Sequence, residues 1–151
     1  MRKHAIPDCY VEDSKQDHRP MRNRQNPFIL LLTLLARRAP LYKANMSEIS
    51  EAPVTEDGAK EVKIKWLINE KDGAPTFLMR HFTVQPTGFT PFHSHDWEHE
   101  VYVLEGEGKV RYEDREEKIV PGDAILIPPN KKHQFRASSG GTLKFLCIIP
   151  K

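Results

Sequence analysis

Apolar and charged residues alternate in short stretches along the second half of the chain. Val62 and Ile64 alternate with Lys63 and Lys65, which is the period of two expected of a strand with one face in water. Turn residues then recur at short intervals, around positions 72, 87, 107, 114, 122, 129 and 140. Six further segments of strand length lie between these turns, at 76–85, 100–104, 109–112, 124–127, 133–137 and 142–149. No run of helical length intervenes, so the pattern predicts an all-β sandwich or small barrel.

The first part of the chain has a different pattern. Residues 1–26 mix charged, amide and proline residues without an apolar period, which is typical of a disordered segment. An apolar run follows at 28–35, but a membrane span needs about 20 such residues, so no membrane association is expected. A signal peptide that starts at Met21 is the alternative, and the arginines at the expected cleavage region disfavour it. We therefore predict a disordered leader over residues 1–55 and a folded domain over 56–151, with Met46 as the natural first residue.

Composition narrows the class of protein further. The chain has 151 residues, which is room for one domain of ordinary size. Lys and Arg number nine against four Asp and Glu in residues 1–45, but fourteen against seventeen in residues 46–151. The predicted domain thus lacks the basic surface that nucleic acid requires. Cys9 and Cys147 lie far apart with no second cysteine beside either one, which favours a reducing cytoplasm over a disulfide scaffold.

Three of the seven histidines lie close together, at positions 93, 95 and 99. On a strand, His93 and His95 would share a face, with about 7 Å between their Cα atoms, which is close enough to bind one ion. His99 can join them if residues 96–98 turn into the next strand, and barrel closure can add a fourth ligand from a distant strand. The spacing therefore predicts a metal site. The remaining histidines outside this site are expected to be ordinary ones, with His81 on the strand face opposite Arg80.

At these residues the sequence resembles the cupin family. Its first motif is matched by Gly88, His93-Ser94-His95 and Gly106, although only four residues separate Gly88 from His93. Its second motif is matched by Pro121-Gly122-Asp123, Pro128 and His133, with Asn130 where a glycine is usual. The resemblance covers roughly residues 63–150 and implies a jelly-roll β-barrel, also called a double-stranded β-helix.

The resemblance also implies the ligand set. His99 stands where many cupins carry a glutamate ligand, and the string from His93 to Gly106 is similar to that of small cupins with four histidine ligands. Those ligands would be His93, His95, His99 and His133, and manganese is the metal most associated with such a site. Glu98 and Glu100 are rivals for the position of His99. Glu100 should face away from the site, and Glu98 could accept a hydrogen bond from a ligand imidazole.

Four neutral imidazoles leave a divalent ion with its full charge, so the site should favour a small anionic ligand. Ligand chemistry alone allows Mn²⁺, Fe²⁺, Zn²⁺, Ni²⁺ or Cu²⁺, and the resemblance selects Mn²⁺. Strand parity predicts that Phe135, Phe145 and Cys147 line the cavity, with Cys147 buried and unreactive. Arg80 shares a face with apolar neighbours, so it either binds a substrate anion or extends its head into water at the strand end.

Several functions are consistent with such a site. A dioxygenase-type oxidoreductase is the first hypothesis; a metal-dependent isomerase or lyase and a non-catalytic binder of metal or small anions are the others. No inward carboxylate can be assigned as a general base, which weighs against the isomerase, and no catalytic residue is assigned. Outward apolar residues on two strands further predict a homodimer; they are Tyr102, Leu104, Leu146 and Ile148.

Overall fold

The structure, a computed structural model, describes residues 41–151. The predictions for residues 1–26 and for the apolar run at 28–35 lie outside the described residues. The strands are β1 (Ala52–Pro53), β2 (Lys60–Ile68), β3 (Phe77–Phe89), β4 (His99–Glu105), β5 (Gly108–Tyr112), β6 (Arg115–Ile119), β7 (Ala124–Ile127), β8 (His133–Ala137) and β9 (Leu143–Pro150). Short 3-10 turns occur at Met46–Glu48 and Glu70–Asp72. Within residues 41–151 no helix is long and apolar enough to cross a membrane.

The strands form one curled antiparallel sheet. Its order is β6-β5-β8-β3-β9-β4-β7, with β2 also paired to β3 and β1 paired to β2. The long strand β3 closes the curl, because most of it pairs with β2 and β9 while Phe89 at its end pairs with Arg136 of β8. Strands far apart in sequence therefore share one inner wall, as the prediction of an all-β jelly roll requires.

Alternation along β9 separates the inner wall from the outer face of the sheet. Leu143, Phe145, Cys147 and Ile149 are buried, whereas the residues between them are half-buried. The ring of Phe145 stacks on Phe82 with centroids 5.1 Å apart and lies 4.8 Å from the ring of Phe135. Aromatic side chains of β3, β8 and β9 thus pack together within a core to which β2, β4, β5, β6 and β7 also contribute buried residues.

Most predicted strands coincide with observed ones, but β6 was not predicted. Four of its five residues are exposed, so the segment has no apolar alternation to detect. It forms because it pairs residue by residue with β5, across a turn in which Glu113 has a φ of 55°. Pairing with a neighbouring strand thus stabilises β6 although its sequence lacks the period of a strand.

Gly106, a residue of the first motif, has a role that no other residue type could fill. It has a φ of +76°, and a Cβ atom built there would lie 2.0 Å from the carbonyl oxygen of Thr142. Both the left-handed backbone and this close approach require glycine. The turn after β4 therefore passes directly against the start of β9.

Residues before the predicted domain boundary at residue 55 already contact the sheet. The Tyr42 hydroxyl donates to the carbonyl oxygen of Leu67 at 3.2 Å, and the Lys65 ammonium donates to the carbonyl oxygen of Met46 at 3.0 Å. The Thr83 hydroxyl donates to Glu51 Oε1 at 2.9 Å, and β1 pairs with β2. Residues 42–53 thus lie against the sheet, because polar and backbone groups of β2 and β3 offer them hydrogen bonds.

His81 also differs from the expectation of an ordinary surface or hydrogen-bonded core histidine. It is buried, and neither ring nitrogen has a hydrogen-bond partner among the described residues. Burial lowers its pKa, and the nearby cations Lys144 and Lys65 lower it further, so the ring is neutral. His81 is expected on the face of β3 opposite that of Arg80, because successive side chains of a strand point to opposite faces.

Candidate metal centre

The four predicted histidine ligands come from three places in the barrel. His93 and His95 lie on the segment between β3 and β4, His99 is the first residue of β4, and His133 is the first residue of β8. The prediction that His93 and His95 lie on a strand is wrong. His93 instead forms an isolated antiparallel bridge with His133, with N–O distances of 3.3 and 2.9 Å. This bridge orients His93 as a strand would, because the backbone of β8 holds it in an extended form.

Barrel closure brings the four imidazole rings into one cluster. The ring centroids of His93, His95 and His133 lie 5.0 to 5.5 Å apart, and their ligand atoms all lie within 4.8 Å of one another. The His99 ring stacks on His95 at 4.3 Å and lies 4.9 Å from His133, but its nitrogens are not within the group of three. Three histidines therefore form a compact set of potential ligands, and His99 lies against it.

The ring nitrogens on the outer side of the cluster are held by hydrogen bonds. Nδ1 of His95 lies 2.7 Å from the carbonyl oxygen of Trp97, and Nδ1 of His133 lies 2.8 Å from that of Lys131. Because a carbonyl can only accept, each Nδ1 carries the proton and each Nε2 keeps a lone pair. Nε2 of His95 and of His133 is buried without a hydrogen-bond partner among the described residues. This donor set fits a divalent ion.

The electrostatics of the cluster keep these rings neutral. Burial, followed by the charge of Arg80, lowers the pKa of His99 to about 2. Burial also lowers the pKa of His133 to about 4, and it lowers that of His95. A neutral imidazole is the form that binds metal, so these side chains need to lose no proton at neutral pH before they bind an ion.

The carboxylate that lies beside an imidazole of the cluster is that of Glu56, and not that of Glu98, which was predicted to accept such a hydrogen bond. Glu98 is half-buried and contacts none of the four imidazoles by a hydrogen bond, whereas Glu56 Oε1 lies 2.8 Å from Nδ1 of His93. Glu56 precedes β2. Nothing in the sequence around it indicated this contact, because only the fold brings it to His93. Glu100 is exposed and lies opposite Leu126 and Ile148, which is the outward orientation expected from its parity with His99.

A small cavity of about 70 Å³ opens beside the histidines. All four residues predicted from strand parity and apolar context as pocket residues line it: Arg80, Phe135, Phe145 and Cys147. Sequence reasoning missed the side chains that surround its mouth and its floor: Val54, Glu56, Phe82, Thr90 and Pro91. The cavity is thus mostly apolar, with one guanidinium, one carboxylate and three imidazoles on its wall, from His93, His99 and His133.

Arg80 and Cys147 contact each other across the β3–β9 pair. Nη2 of Arg80 donates to Sγ of Cys147 at 2.9 Å, and Arg80 Nε is buried with no partner in the described part of the chain. Cys147 therefore has a basic neighbour that the sequence did not reveal. Burial raises the pKa of the Cys147 thiol and outweighs the opposing effect of Arg80, so the thiol is neutral as predicted.

A larger cleft of about 450 Å³ lies elsewhere on the described surface, next to β5, β6 and β8. Its charged side chains pair with one another: Lys109 and Arg136 contact Glu116, and Lys118 contacts Glu107. No histidine lines it, so its size does not make it the better candidate site.

Comparison with known proteins agrees with this geometry. The family model described as the cupin domain matches residues 80–149. The curated 1-methylthio-D-xylulose 5-phosphate methylsulfurylase of Rhodospirillum rubrum is 34% identical over 71 residues, which are 47% of this chain and 46% of that protein. The chain thus matches about half the length of this relative.

Solved structures extend the similarity over more of the chain. The polyketide cyclase RemF from Streptomyces resistomycificus is 40% identical, with a TM-score of 0.71 over 74% of this chain and 80% of that one. A cupin-2 domain protein of Rhodospirillum rubrum is 25% identical, with a TM-score of 0.64 over 72% and 74% of the two chains. The curled sheet, the histidine cluster and these matches together show that the chain belongs to the cupin superfamily.

Proposed function

We propose that this chain is a metal-dependent enzyme that activates a small anionic carbonyl compound at a divalent ion held by His93, His95, His99 and His133. One observation carries the proposal. The Nε2 atoms of His95 and His133 are buried without a partner among residues 41–151, and ligand atoms of His93, His95 and His133 lie within 4.8 Å of one another. Burying such groups unpaired is unfavourable, and a shared cation would relieve that cost.

The donor set restricts the ion. Imidazoles suit Mn²⁺, Fe²⁺, Zn²⁺, Ni²⁺ and Cu²⁺, and Cys147, which would favour a softer ion, is hydrogen-bonded to Arg80 instead. We propose Mn²⁺ first, on the resemblance of the histidine string to four-histidine cupins. When bound, the ion would supply Lewis acidity, and a redox-active ion would add electron transfer to dioxygen.

The chain's own residues would prepare the substrate. The aromatic rings of Phe82, Phe135 and Phe145 exclude water from the cavity, which strengthens every charge interaction inside it. Glu56 orients His93 through the 2.8 Å hydrogen bond, and its carboxylate also lines the cavity mouth. It is therefore placed to hold a proton that leaves a bound carbonyl compound.

Two observations favour a reaction without net oxidation, such as cyclisation or isomerisation. No inward carboxylate could be assigned from the sequence, and Glu56, although its side chain is 55% exposed, places a carboxylate on the cavity wall. The relative that is 40% identical is a polyketide cyclase, and cyclisation is a reaction of this class. We therefore place Lewis-acid chemistry on an enolisable carbonyl compound first.

A dioxygenase-type oxidoreductase is the second candidate. An octahedral ion with four protein ligands keeps two positions for exogenous ligands, which is what substrate and dioxygen together require. The small, mostly apolar cavity would also protect a reactive species from water.

One experiment separates these functions. Protein loaded with Mn²⁺, Fe²⁺ or Zn²⁺ is incubated with a panel of enols, catechols and linear β-diketones, in air and under nitrogen, while oxygen uptake and products are measured. Conversion under nitrogen is the expected result. Conversion that consumes oxygen in proportion to product would assign the dioxygenase instead. Bound metal without any conversion would instead indicate a non-catalytic binder of metal or small anions.

A further inference from the structure

We propose that Arg80 is the anion-binding residue of this cavity and that it takes the carboxylate of a small oxo acid whose carbonyl reaches the histidine cluster. The inference rests on the proposed function and names the substrate class that the site serves. It depends on the position of Arg80, on its unfilled hydrogen bonds and on the charge balance of the cavity.

The position of the guanidinium is internal. Arg80 lies opposite Cys147 in the β3–β9 register, and its Nη2 reaches the Sγ of Cys147, a residue that is 1% exposed. An arginine that extended its head into water at the strand end would not contact so deep a thiol. Arg80 also lines the same cavity as His99 and His133, so its charge faces the imidazoles.

The hydrogen bonds of Arg80 are incomplete. A guanidinium has five N–H donors, and the described residues give it one acceptor, the Cys147 sulfur. Its Nε is buried and has none. Sulfur is a weak acceptor and leaves the positive charge uncompensated, so an acceptor with negative charge is missing from this position.

No carboxylate of the described residues pairs with Arg80. Glu56 alone among the lining residues carries a carboxylate, and it is hydrogen-bonded to His93. The cavity therefore holds a cationic guanidinium and a cluster of neutral imidazoles, before any metal charge is added. A ligand carboxylate would neutralise the guanidinium and fill its planar fork with two hydrogen bonds.

The cavity is small, with a volume of about 70 Å³, and aromatic rings lie against the guanidinium, which favours a small planar anion. The Arg80 guanidinium carbon lies 5.2 Å from the ring centroid of Phe82 and 5.6 Å from that of Trp66. These rings hold the guanidinium plane.

The test compares a charged ligand with its neutral isostere. Pyruvate and pyruvamide are titrated into Mn²⁺-loaded protein, and binding is followed by the paramagnetic broadening of the ligand methyl proton signal. Wild-type protein should prefer pyruvate by roughly 10–100-fold, the range expected of charge-assisted hydrogen bonds. The Arg80→Leu variant should lose most of this preference and keep the part that the charge of the bound ion supplies. Arg80→Lys should keep more of it, although a point charge lacks the planar fork.

Arg111→Leu is the matched control, because Arg111 also packs on an aromatic ring, that of Phe92 at 3.9 Å, but does not line the cavity. It should bind pyruvate as wild type does. An Arg80→Leu variant with wild-type manganese content and an unchanged preference for pyruvate would overturn the proposal. If Arg80→Leu does not fold, an unchanged preference in Arg80→Lys together with unchanged pyruvate affinity would overturn it instead.

Two further arms separate other outcomes. Inorganic phosphate should compete with pyruvate weakly, and phosphate that binds more tightly than pyruvate through Arg80 would overturn the carboxylate class. Metal analysis of the wild-type protein is made independently. Failure to bind any divalent ion would overturn the proposed function, while a preference of the metal-free protein for pyruvate, lost in Arg80→Leu and measured by calorimetry, would still support Arg80.

Discussion

Nδ1 of His93 lies 2.8 Å from Oε1 of Glu56, although 37 residues separate the two in the chain. A carboxylate that accepts a hydrogen bond from a ligand imidazole fixes the tautomer of the ring and makes its other nitrogen a better donor to metal. Glu56 lies on the segment before β2, so the strand order rather than local sequence brings it to the site.

Replacing Glu56 should therefore weaken metal binding without removing a ligand. We expect Glu56→Ala to reduce the affinity for Mn²⁺ or Zn²⁺ by roughly 10–100-fold, which is typical of such partners. Competition with a metal-binding dye measures this affinity. Glu98→Ala is the control, because Glu98 makes no hydrogen bond to an imidazole of the cluster, and it should bind metal within about twofold of wild type. Equal losses in the two variants would contradict the positioning role of Glu56.

Whether His99 is a fourth ligand is a separate prediction. Its ring lies 4.9 Å from His133 but outside the compact group of three, so a small side-chain rotation has to accompany binding. We expect His99→Ala to lower metal occupancy far more than Glu100→Ala, because Glu100 is exposed on the opposite face. Metal content after dialysis, measured by mass spectrometry, compares the two. A His99→Ala protein with full metal content and unchanged affinity would reduce the site to three histidines.

The metal-free protein should become less stable as the pH falls below about 6.5. Burial lowers the pKa of His99 to about 2 and of His133 to about 4 in the folded protein, whereas an unfolded histidine has a pKa of about 6.5. Between pH 4 and 6.5 the unfolded chain thus binds more protons, and stability rises with pH. The slope approaches about 1.4 kcal/mol per pH unit for each such histidine.

Urea unfolding of the metal-free protein at pH 5, 6 and 7.5 measures this slope. A His133→Gln variant should show a shallower slope by about one proton, because one of the depressed histidines is gone. Bound metal should increase the melting temperature at pH 7.5 and lose that effect only as the pH falls below about 4, where His133 becomes protonated in the folded protein. A free energy of unfolding that is constant from pH 5 to 7.5 would be inconsistent with the neutral buried rings.

The homodimer stays a prediction, and the outer face of the sheet now defines where it would form. Tyr102 and Leu126 are 48% and 63% exposed, and they lie beside the half-buried Leu146 and Ile148 on neighbouring strands. A second copy packed on this apolar surface would remove it from water. We expect a Tyr102→Glu, Leu126→Glu double variant to sediment as a monomer at micromolar concentration. Glu117→Lys on the exposed strand β6 is the control and should stay dimeric, while a monomeric wild type would refute the dimer.

Local sequence determined which faces the strands turn inward and where the histidines cluster. The alternation of β9 was readable because a side-chain period of two separates a buried face from an exposed one, and the inward Phe145 and Cys147 follow from it. His93, His95 and His99 lie within a few residues of one another, so no distant contact was needed to propose a shared ion. Strand β6 was not predicted because its exposed residues have no such period.

Tertiary structure alone decided which partners complete the site. The hydrogen bond from Arg80 to Cys147 joins residues 67 positions apart, and that between His93 and Glu56 joins residues 37 apart. Periodicity describes the direction of a side chain relative to its own strand, but strand order determines which strand lies opposite. Closure of the sheet through β3 placed Glu56, rather than the neighbouring Glu98, against His93, because it brings the segment before β2 over the mouth of the cavity.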